Sequence, residues 1–444
     1  MSRKYFGTDG IRGRVGDEPM TVDFALRLAS AAARVLAPEG GTALIGKDTR
    51  VSGYLFESAL EAGFVAAGVD VMLTGPLPTP AVAYLTRCIP RAFGVVISAS
   101  HNAYQDNGIK FFDSGGGKLS DELEEQIEAQ MTQGVLTQHS DRLGRARRAD
   151  HLREDYQRFC ASTVPGGLDL TGMKIVIDCA NGAGYKVGPR LLADLGAEII
   201  PVGCSPNGRN INDGCGSTSP DLLQLTVPGV HAALGIALDG DGDRLLMVDN
   251  LGRTVDGDQL LYIIARARQA TGELSGPVVG TLMSNLGLEL ALRDLGIGFR
   301  RAQVGDRYVL SMLKQSGGVI GGETSGHILC LDRTTTGDAL VSALQVLAEV
   351  RRTGLTLAQL AAGMPRFPQV LLNVRVARRF DPTQVESVRT VVAEVERELG
   401  DAGRVVLRAS GTEPVIRVMV EGREEAQTKA CAQRIARAVE QAAT

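Results

Sequence analysis

Asp239, Asp241 and Asp243, on alternate residues of the run DGDGDR, carry the strongest chemical signal in the chain. Gly240 and Gly242 between them leave the backbone free to fold tightly enough for all three carboxylates to face one point. Anionic oxygens brought that close repel one another unless a cation sits among them, so a hard divalent ion is implied. An EF-hand loop would need glycine at its sixth position and glutamate at its twelfth, where Arg244 and Asn250 stand. Three protein carboxylates leave room for water and a phosphate, which suits Mg2+ better than a calcium cage. A turn of solvated carboxylates is the plainer alternative.

The stretch GVVISASHNAYQDNGIKFF, Gly94 to Phe112, begins as a buried strand and then turns polar. It offers Ser98 and Ser100 as hydroxyl nucleophiles, with His101 beside them and Lys110 further on. A helix N-cap would account for one serine, but not for histidine, asparagine and lysine at a strand end. A serine near a carboxylate-bound Mg2+ suits phosphoryl transfer, where alignment and charge neutralisation do most of the work. Acyl transfer fits less well, because no G-x-S-x-G elbow is present.

Two further loops suit a phosphorylated sugar. GGETSGH places Glu323, Ser325 and His327 at a strand end, where a carboxylate and a hydroxyl can serve adjacent sugar hydroxyls, although a solvated turn would look similar. Near the C-terminus, Arg408, Ser410, Thr412 and Arg417 surround Gly411 at a turn. That set of donors suits phosphate, against the plainer reading of a hairpin with exposed arginines. Two glycine-rich runs fail as nucleotide loops: NGAGYKVG has the wrong glycine spacing, and GGGKLS lacks a hydroxyl directly after its lysine.

These loops need rigid posts, and a repeat supplies them. GTALIGKDTRVSG, MKIVIDCANGAGY and GPVVGTLMSNLG each read as an apolar strand, followed by an amphipathic helix, a glycine and a second strand. The second strands lie in AAGVDVML, ADLGAEIIPV and RDLGIGFRRAQV, and third buried strands in FGVVISASHN, LGIALDGDGDR and GGVIGGETSGH. The alternation predicts three similar α/β domains with mixed, largely parallel sheets. Ligands gather beyond the carboxyl ends of such strands, so the three polar loops can converge on one cleft.

The tail differs. FPQVLLNVRVARR alternates as a strand, and Asp381-Pro382 predicts the N-cap and first turn of a helix with Val385, Val388, Val392, Val395 and Leu399 on one face, ending at Gly400. A hairpin in RVVLRASGTEPVIRVMVEG and a last helix complete a smaller C-terminal α+β domain. The expected boundaries are 1–160, 161–255, 256–368 and 369–444.

Bulk properties narrow the partners. The 444 residues are 44% hydrophobic and 22% charged, enough for several cores. A net charge of −4, 4% aromatics and no tryptophan leave neither a basic stripe nor stacking platforms for nucleic acid. The start, MSRKYFGTDGIRG, lacks a signal-peptide h-region, and no apolar run approaches the roughly 18 residues of a membrane span, so no membrane association and a cytoplasmic location are expected. Seven scattered cysteines without a C-x-x-C pair indicate neither a disulfide framework nor zinc. The 54 glycines exceed the usual ~7% and fit many tight strand-to-loop transitions.

In order along the chain, FGTDGIRG, GKDTRVSG, SASHN…DNGIK, DGDGDR, GGETSGH and RASGTEP resemble the α-D-phosphohexomutase superfamily from end to end. ISASHNAYQDNGIKFF, IDCANGAGY, CGST, VDGDQL, MSNLGLE and TTGDALVSALQVL are most similar to its bacterial branch that interconverts glucosamine 6-phosphate and glucosamine 1-phosphate, on the route to UDP-N-acetylglucosamine. The resemblance implies four domains around a central cleft. It also implies a phosphoserine at the second serine of the motif, Ser100, with Mg2+ held by Asp239, Asp241, Asp243 and an oxygen of that phosphoserine. By the same matching Arg12 and Lys110 assist transfer, Arg244 lines the cleft, and Glu323, Ser325 and His327 bind the sugar. Arg408, Ser410, Gly411, Thr412 and Arg417 would grip the phosphate that is not reacting. A 1,6-bisphosphate turns end for end in such enzymes, a bisphosphorylated sugar activates them, and homodimers are common. The family usually has proline where Ala103 stands. The rival readings are a phosphomannomutase or phosphoglucomutase with the same machinery, and a non-catalytic sugar phosphate sensor.

Overall fold

Runs of small and branched apolar residues make the strands, and helices cover them on both faces. In β2 (Thr42–Lys47) the residues Ala43, Leu44 and Ile45 are all fully buried, as expected of a parallel strand between two helical layers. The computed structural model describes residues 3–164, 166–377, 380–409 and 414–443.

The first unit carries β1 (Ile11–Arg14), β2, β3 (Asp70–Pro76), β4 (Ala92–Ile97), β5 (Asp106–Phe112) and β6 (Ala146–Arg148) in the order β1-β5-β4-β2-β3-β6. Its helices are α1 (Val22–Leu36), α2 (Ser52–Ala66), α3 (Thr79–Cys88), α4 (Asp121–Gln130) and α5 (Leu152–Ser162). The second unit has β7 (Lys174–Asp178), β8 (Glu198–Val202), β9 (Leu234–Leu238), β10 (Leu245–Asp249) and β11 (Thr254–Val255), with α6 (Val187–Asp194) and α7 (Asp221–Gly229). The third has β12 (Val278–Thr281), β13 (Phe299–Ala302), β14 (Ile320–Gly322) and β15 (Ile328–Cys330). Its helices are α8 (Gly257–Ala270), α9 (Leu286–Asp294), α10 (Asp306–Ser316), α11 (Ala339–Thr353) and α12 (Leu357–Ala361).

One pattern recurs in all three. The segments β5-β4-β2-β3, β10-β9-β7-β8 and β15-β14-β12-β13 have the same strand order. In each, the first three strands in sequence are parallel and the fourth returns antiparallel beside the third. The repeat in the sequence therefore corresponds to a repeated topology. The returning strand is an addition to what the sequence suggested.

The chain closes these units around two buried helices. In α11 every residue from Ala339 to Leu347 is buried, and α8 is buried from Leu260 to Ala265, the pattern of helices packed on all sides. Side-chain caps start both: Asp256 accepts from Gln259 N–H at 3.1 Å and Asp338 from Val341 N–H at 2.9 Å. Leu44, Phe112, Ile236, Ile264 and Leu344 belong to one continuous core that runs through the three units. Among the described residues no helix is long and apolar enough to cross a membrane. All seven cysteines are free thiols.

The fourth unit is a three-stranded antiparallel sheet, β16 (Gln369–Arg375), β17 (Gly403–Ala409) and β18 (Val415–Gly422), in the order β16-β18-β17, with α13 (Glu386–Leu399) and α14 (Glu425–Ala442) packed on it. It keeps a core of its own around Val388, Val418 and Ile435. Asp381 does accept a backbone hydrogen bond, from Thr383, but it caps a short 3-10 turn over Pro382–Gln384 rather than the long helix. Val385 is extended and breaks the two apart, so α13 begins at Glu386. Arg404 on β17 pins this unit to the third by donating to the carbonyls of Leu282 and Ser284 at 2.8 and 2.6 Å. Asn285 and Phe367 add two reciprocal hydrogen bonds at the junction, of 2.9 and 3.0 Å.

Leu344→Ala, at a fully buried position of α11, is expected to cost about 2–5 kcal/mol, read as a fall of several degrees in melting temperature. Leu371→Ala, at a half-exposed strand position, is the control and should shift stability by no more than ~0.5 kcal/mol.

Candidate active site

The three parallel-to-antiparallel turns fall on the polar loops. Residues 98–105 join β4 to β5, 239–244 join β9 to β10, and 323–327 join β14 to β15. The loops meet. Ser100 Oγ donates to Asp239 Oδ2 at 2.6 Å, and Leu245 N–H donates to the Gly326 carbonyl at 3.0 Å.

Position separates the two serines. Ser98 is fully buried; its hydroxyl donates to Asp48 and accepts the Ser100 N–H at 3.0 Å. Ser100 instead turns its hydroxyl to the carboxylate trio, from a backbone in the left-handed region at φ 52°. A residue with a side chain adopts that region at a cost of about 1–2 kcal/mol. Two donors hold it there. The Arg50 guanidinium, itself fully buried and paired with Asp48, donates to the carbonyls of Ser100 and Asn102. From the second unit, Asn212 Nδ2 donates to the same two carbonyls, each at 3.0 Å. A side chain at 240 would bring a Cβ within 2.6 Å of the Ser100 carbonyl, which accounts for Gly240.

The trio is tightly drawn. Each of Asp239, Asp241 and Asp243 is buried, and one oxygen from each lies within 4.8 Å of the others. Asp239 Oδ1 accepts three backbone N–H groups, from Gly242, Asp243 and Arg244, at 3.1–3.2 Å. Asp241 accepts from Thr79 Oγ1 at 2.7 Å and from Lys110 Nζ at 2.8 Å. Burial and the charges of its two neighbours push the Asp239 carboxyl well above the usual range, and burial with Asp241 pushes Asp243 up. Burial acts the same way on Asp241, but the Lys110 ammonium and the Thr79 hydroxyl outweigh it and hold that carboxyl low. Asp241 Oδ1 and Asp243 Oδ1 are buried without a hydrogen-bond partner. Mutually repelling carboxylates with two such oxygens fit a divalent cation.

Cations frame the trio. Lys110 opposes its own burial through Asp241, Asp9 and Asp243, which keep it protonated far above the neutral range. Arg12, on β1, pairs with Asp9. His101 Nδ1 stands 3.5 Å from Ser100 Oγ, and burial together with Arg244 and Arg12 lowers its pKa to about 4, so the ring is neutral at pH 7. A cavity of about 360 Å3 opens beside them, lined by Asp9, Arg12, Asp243, Arg244, Glu323 and His327 among others. Glu323 Oε1 accepts the Gly305 N–H at 3.0 Å, and His327 Nε2 lies 3.8 Å from Asp243 Oδ2. Ser325 is exposed at the tip of the same turn.

Arg408 and Arg417 stand opposite each other on β17 and β18, outside this lining. Ser410, Gly411 and Thr412 lie outside the described residues. A larger cavity of about 470 Å3 lies between α8 and α11, but its charges pair among themselves, Arg268 with Glu273 and Arg352 with Glu349. Ser100 and the carboxylate cluster are elsewhere.

Several residues at the site carried no assignment from sequence: Asp9, Asp48, Arg50, Thr79, Lys118, Asn212 and Asp306. Lys118, from the rejected run GGGKLS, joins Asp9 at 2.6 Å and also Asp306. Asp9 sits three residues before Arg12 in FGTDGIRG, a spacing that could have drawn notice. For Arg50 and Asn212 no local pattern exists, because their partners lie 50 and 112 residues away.

Four family models, described as phosphoglucomutase/phosphomannomutase alpha/beta/alpha domains I, II and III and C-terminal domain, match residues 3–137, 155–252, 256–367 and 371–438. The phosphoglucosamine mutase of Methylococcus capsulatus is 59% identical over 444 residues, covering 100% of this chain and 99% of that protein. A phosphoglucomutase/phosphomannomutase family protein from Burkholderia thailandensis shares the fold, with a TM-score of 0.82 at 23% identity over 100% of this chain and 98% of the other. So does Aspergillus fumigatus N-acetylphosphoglucosamine mutase, whose structure holds GlcNAc-6P and magnesium, with a TM-score of 0.71 at 19% identity over 100% and 96% of the two chains. With all four domain models matched in order and this identity along its whole length, the chain belongs to the phosphoglucomutase/phosphomannomutase family, the α-D-phosphohexomutase isomerases, and groups there with the phosphoglucosamine mutases.

Proposed function

We propose that this isomerase interconverts glucosamine 6-phosphate and glucosamine 1-phosphate through a phosphorylated Ser100 and a glucosamine 1,6-bisphosphate. The observation that carries the reading is the Ser100 hydroxyl at 2.6 Å from Asp239, inside a buried carboxylate trio and beside a cavity for the sugar. Phospho-Ser100 gives its phosphoryl group to O1 of glucosamine 6-phosphate, so the Oγ–P bond breaks as the O1–P bond forms, while O1 gives up its proton and the released Ser100 Oγ takes one up. The bisphosphate turns end for end, and its 6-phosphoryl group returns to Ser100 Oγ, releasing glucosamine 1-phosphate.

The chain's own groups divide the work. Arg50 and Asn212 fix the Ser100 backbone, so the nucleophile does not wander between the two transfers. Lys110 and Arg12 supply positive charge next to the transferring group. Arg244, Glu323, Ser325 and His327 hold the sugar, and Arg408, Ser410, Gly411, Thr412 and Arg417 hold the phosphate at rest. Asp239, Asp241, Asp243 and an oxygen of phospho-Ser100 would hold Mg2+, which when bound neutralises charge on the phosphoryl oxygens. The fungal relative's magnesium and sugar phosphate, and the names of the full-length bacterial relatives, support this reading. Its product would feed the synthesis of UDP-N-acetylglucosamine, and a hexose 1,6-bisphosphate would prime the enzyme.

A coupled assay with glucosamine 6-phosphate, Mg2+ and a catalytic amount of glucose 1,6-bisphosphate tests substrate and priming together. Ser100→Ala should lower kcat by roughly 10^3-fold or more while leaving sugar phosphate affinity by calorimetry within a few-fold. Substantial turnover by that variant would refute the serine, and faster turnover of mannose or glucose phosphates would favour the sister activities.

The ion is tested separately by thermal unfolding of chelator-treated protein. Mg2+ at a hundredfold excess over its Kd should stabilise the wild type by about 2.7 kcal/mol. In Asp241→Asn the same addition should leave the melting temperature unmoved.

A further inference from the structure

We propose that Asp306 is the carboxylate that receives the 2-ammonium of a hexosamine phosphate, and that it makes this site prefer an amino sugar to glucose or mannose phosphates. The proposal rests on the function given above and supplies the specificity group which the sequence did not disclose. Glucosamine differs from glucose only at C2, where an ammonium replaces a hydroxyl. An ammonium offers donors and no acceptor, so an anionic oxygen must face it for discrimination.

Among the described residues four carboxylates line the cavity: Asp9, Asp243, Asp306 and Glu323. Asp9 is taken up by three cations, Arg12, Lys110 at 3.0 Å and Lys118 at 2.6 Å. Asp243 belongs to the metal-binding trio. That leaves Glu323 and Asp306, and the two are joined. Glu323 Oε1 accepts the N–H of Gly305, the residue directly before Asp306, so two carboxylates flank one wall of the cavity. Adjacent substituents on a pyranose ring can meet such a pair, with Glu323 on a hydroxyl common to all hexoses and Asp306 on the position that varies.

A plainer account treats Asp306 as an acid in the first turn of α10, favoured by the helix dipole. That account does not explain its partners. Its Oδ2 pairs with Lys118, which comes from another unit 188 residues away, and lies 3.9 Å from His327 Nε2. His327 is almost wholly buried, yet its Nδ1 has no hydrogen-bond partner among the described residues. These contacts place Asp306 at the wall of the cavity, beyond what a first-turn acid requires. Burial works against ionisation of Asp306, but Lys118 and His327 outweigh it and keep the carboxyl below its usual range, so it is an anion at neutral pH. Its side chain stays about one-fifth exposed, and therefore reachable from the cavity.

The test compares kcat/KM for glucosamine 6-phosphate and glucose 6-phosphate in the wild type, Asp306→Asn and Asp306→Glu. In Asp306→Asn the amino-sugar preference, the ratio of the two values, should fall roughly tenfold to a hundredfold, and Asp306→Glu should keep most of it. A proportional loss on both substrates, with the ratio within twofold of wild type, would make Asp306 a structural residue and overturn the proposal. So would a ratio that collapses in Glu323→Gln but not in Asp306→Asn. If Asp306→Asn does not fold, Asp306→Ser carries the same comparison. Wild-type protein inactive on glucosamine 6-phosphate would instead reject the proposed function, a result distinct from either of these.

Discussion

Like charges forced together out of water are the constraint on which this molecule is organised. Asp239, Asp241 and Asp243 are buried within a few ångströms of one another, a placement that a protein sustains only with compensating positive charge. Lys110 covers one carboxylate, three backbone N–H groups cover another, and two oxygens are left over. The serine loop stays aligned only where the surrounding units hold these partners in place. Long-range contacts such as Thr79 to Asp241 therefore matter more than the local propensity of any loop.

A second buried charge does the opposite job. Arg50 has no exposed surface, and its guanidinium is shared between Asp48 and two carbonyls of the serine loop. Removing one partner of such a pair leaves a buried charge uncompensated, which is why it holds its geometry firmly. The strained backbone at Ser100 is thereby carried by the first unit, while Asn212 brings the second unit to the same carbonyls. Ser100 is consequently registered against both sheets at once.

Much of this could be read from the chain. The alternate aspartates with glycines between them state a convergent cluster, because only that residue pattern lets a short turn aim three carboxylates inward. Three apolar runs ending in polar loops state three sheets, because burial imposes a local hydrophobic pattern. What escaped was the antiparallel fourth strand in each sheet, the short turn that delays α13 to Glu386, and the ion pairs of Arg50, Lys118 and Asp306. Lys118 and Asp306 stand 188 residues apart, and Arg50, although paired with Asp48 two residues away, reaches 50 residues on to the Ser100 carbonyl; pairing across a fold leaves no periodic trace. GGGKLS shows the limit well: its pattern fails as a nucleotide loop, and nothing local shows that its lysine pairs with Asp9 and Asp306 in the wall of the cavity.

The last unit keeps a private core and is held to the third by Arg404 at the carbonyls of Leu282 and Ser284. A unit with its own core and few polar ties to its neighbour is the kind of element that opens as a separate cooperative unit. Amide protons on β18 would then exchange by a route separate from those on β9. The stability of this lobe is then set by its tether to the third unit and not by the core that the other three share.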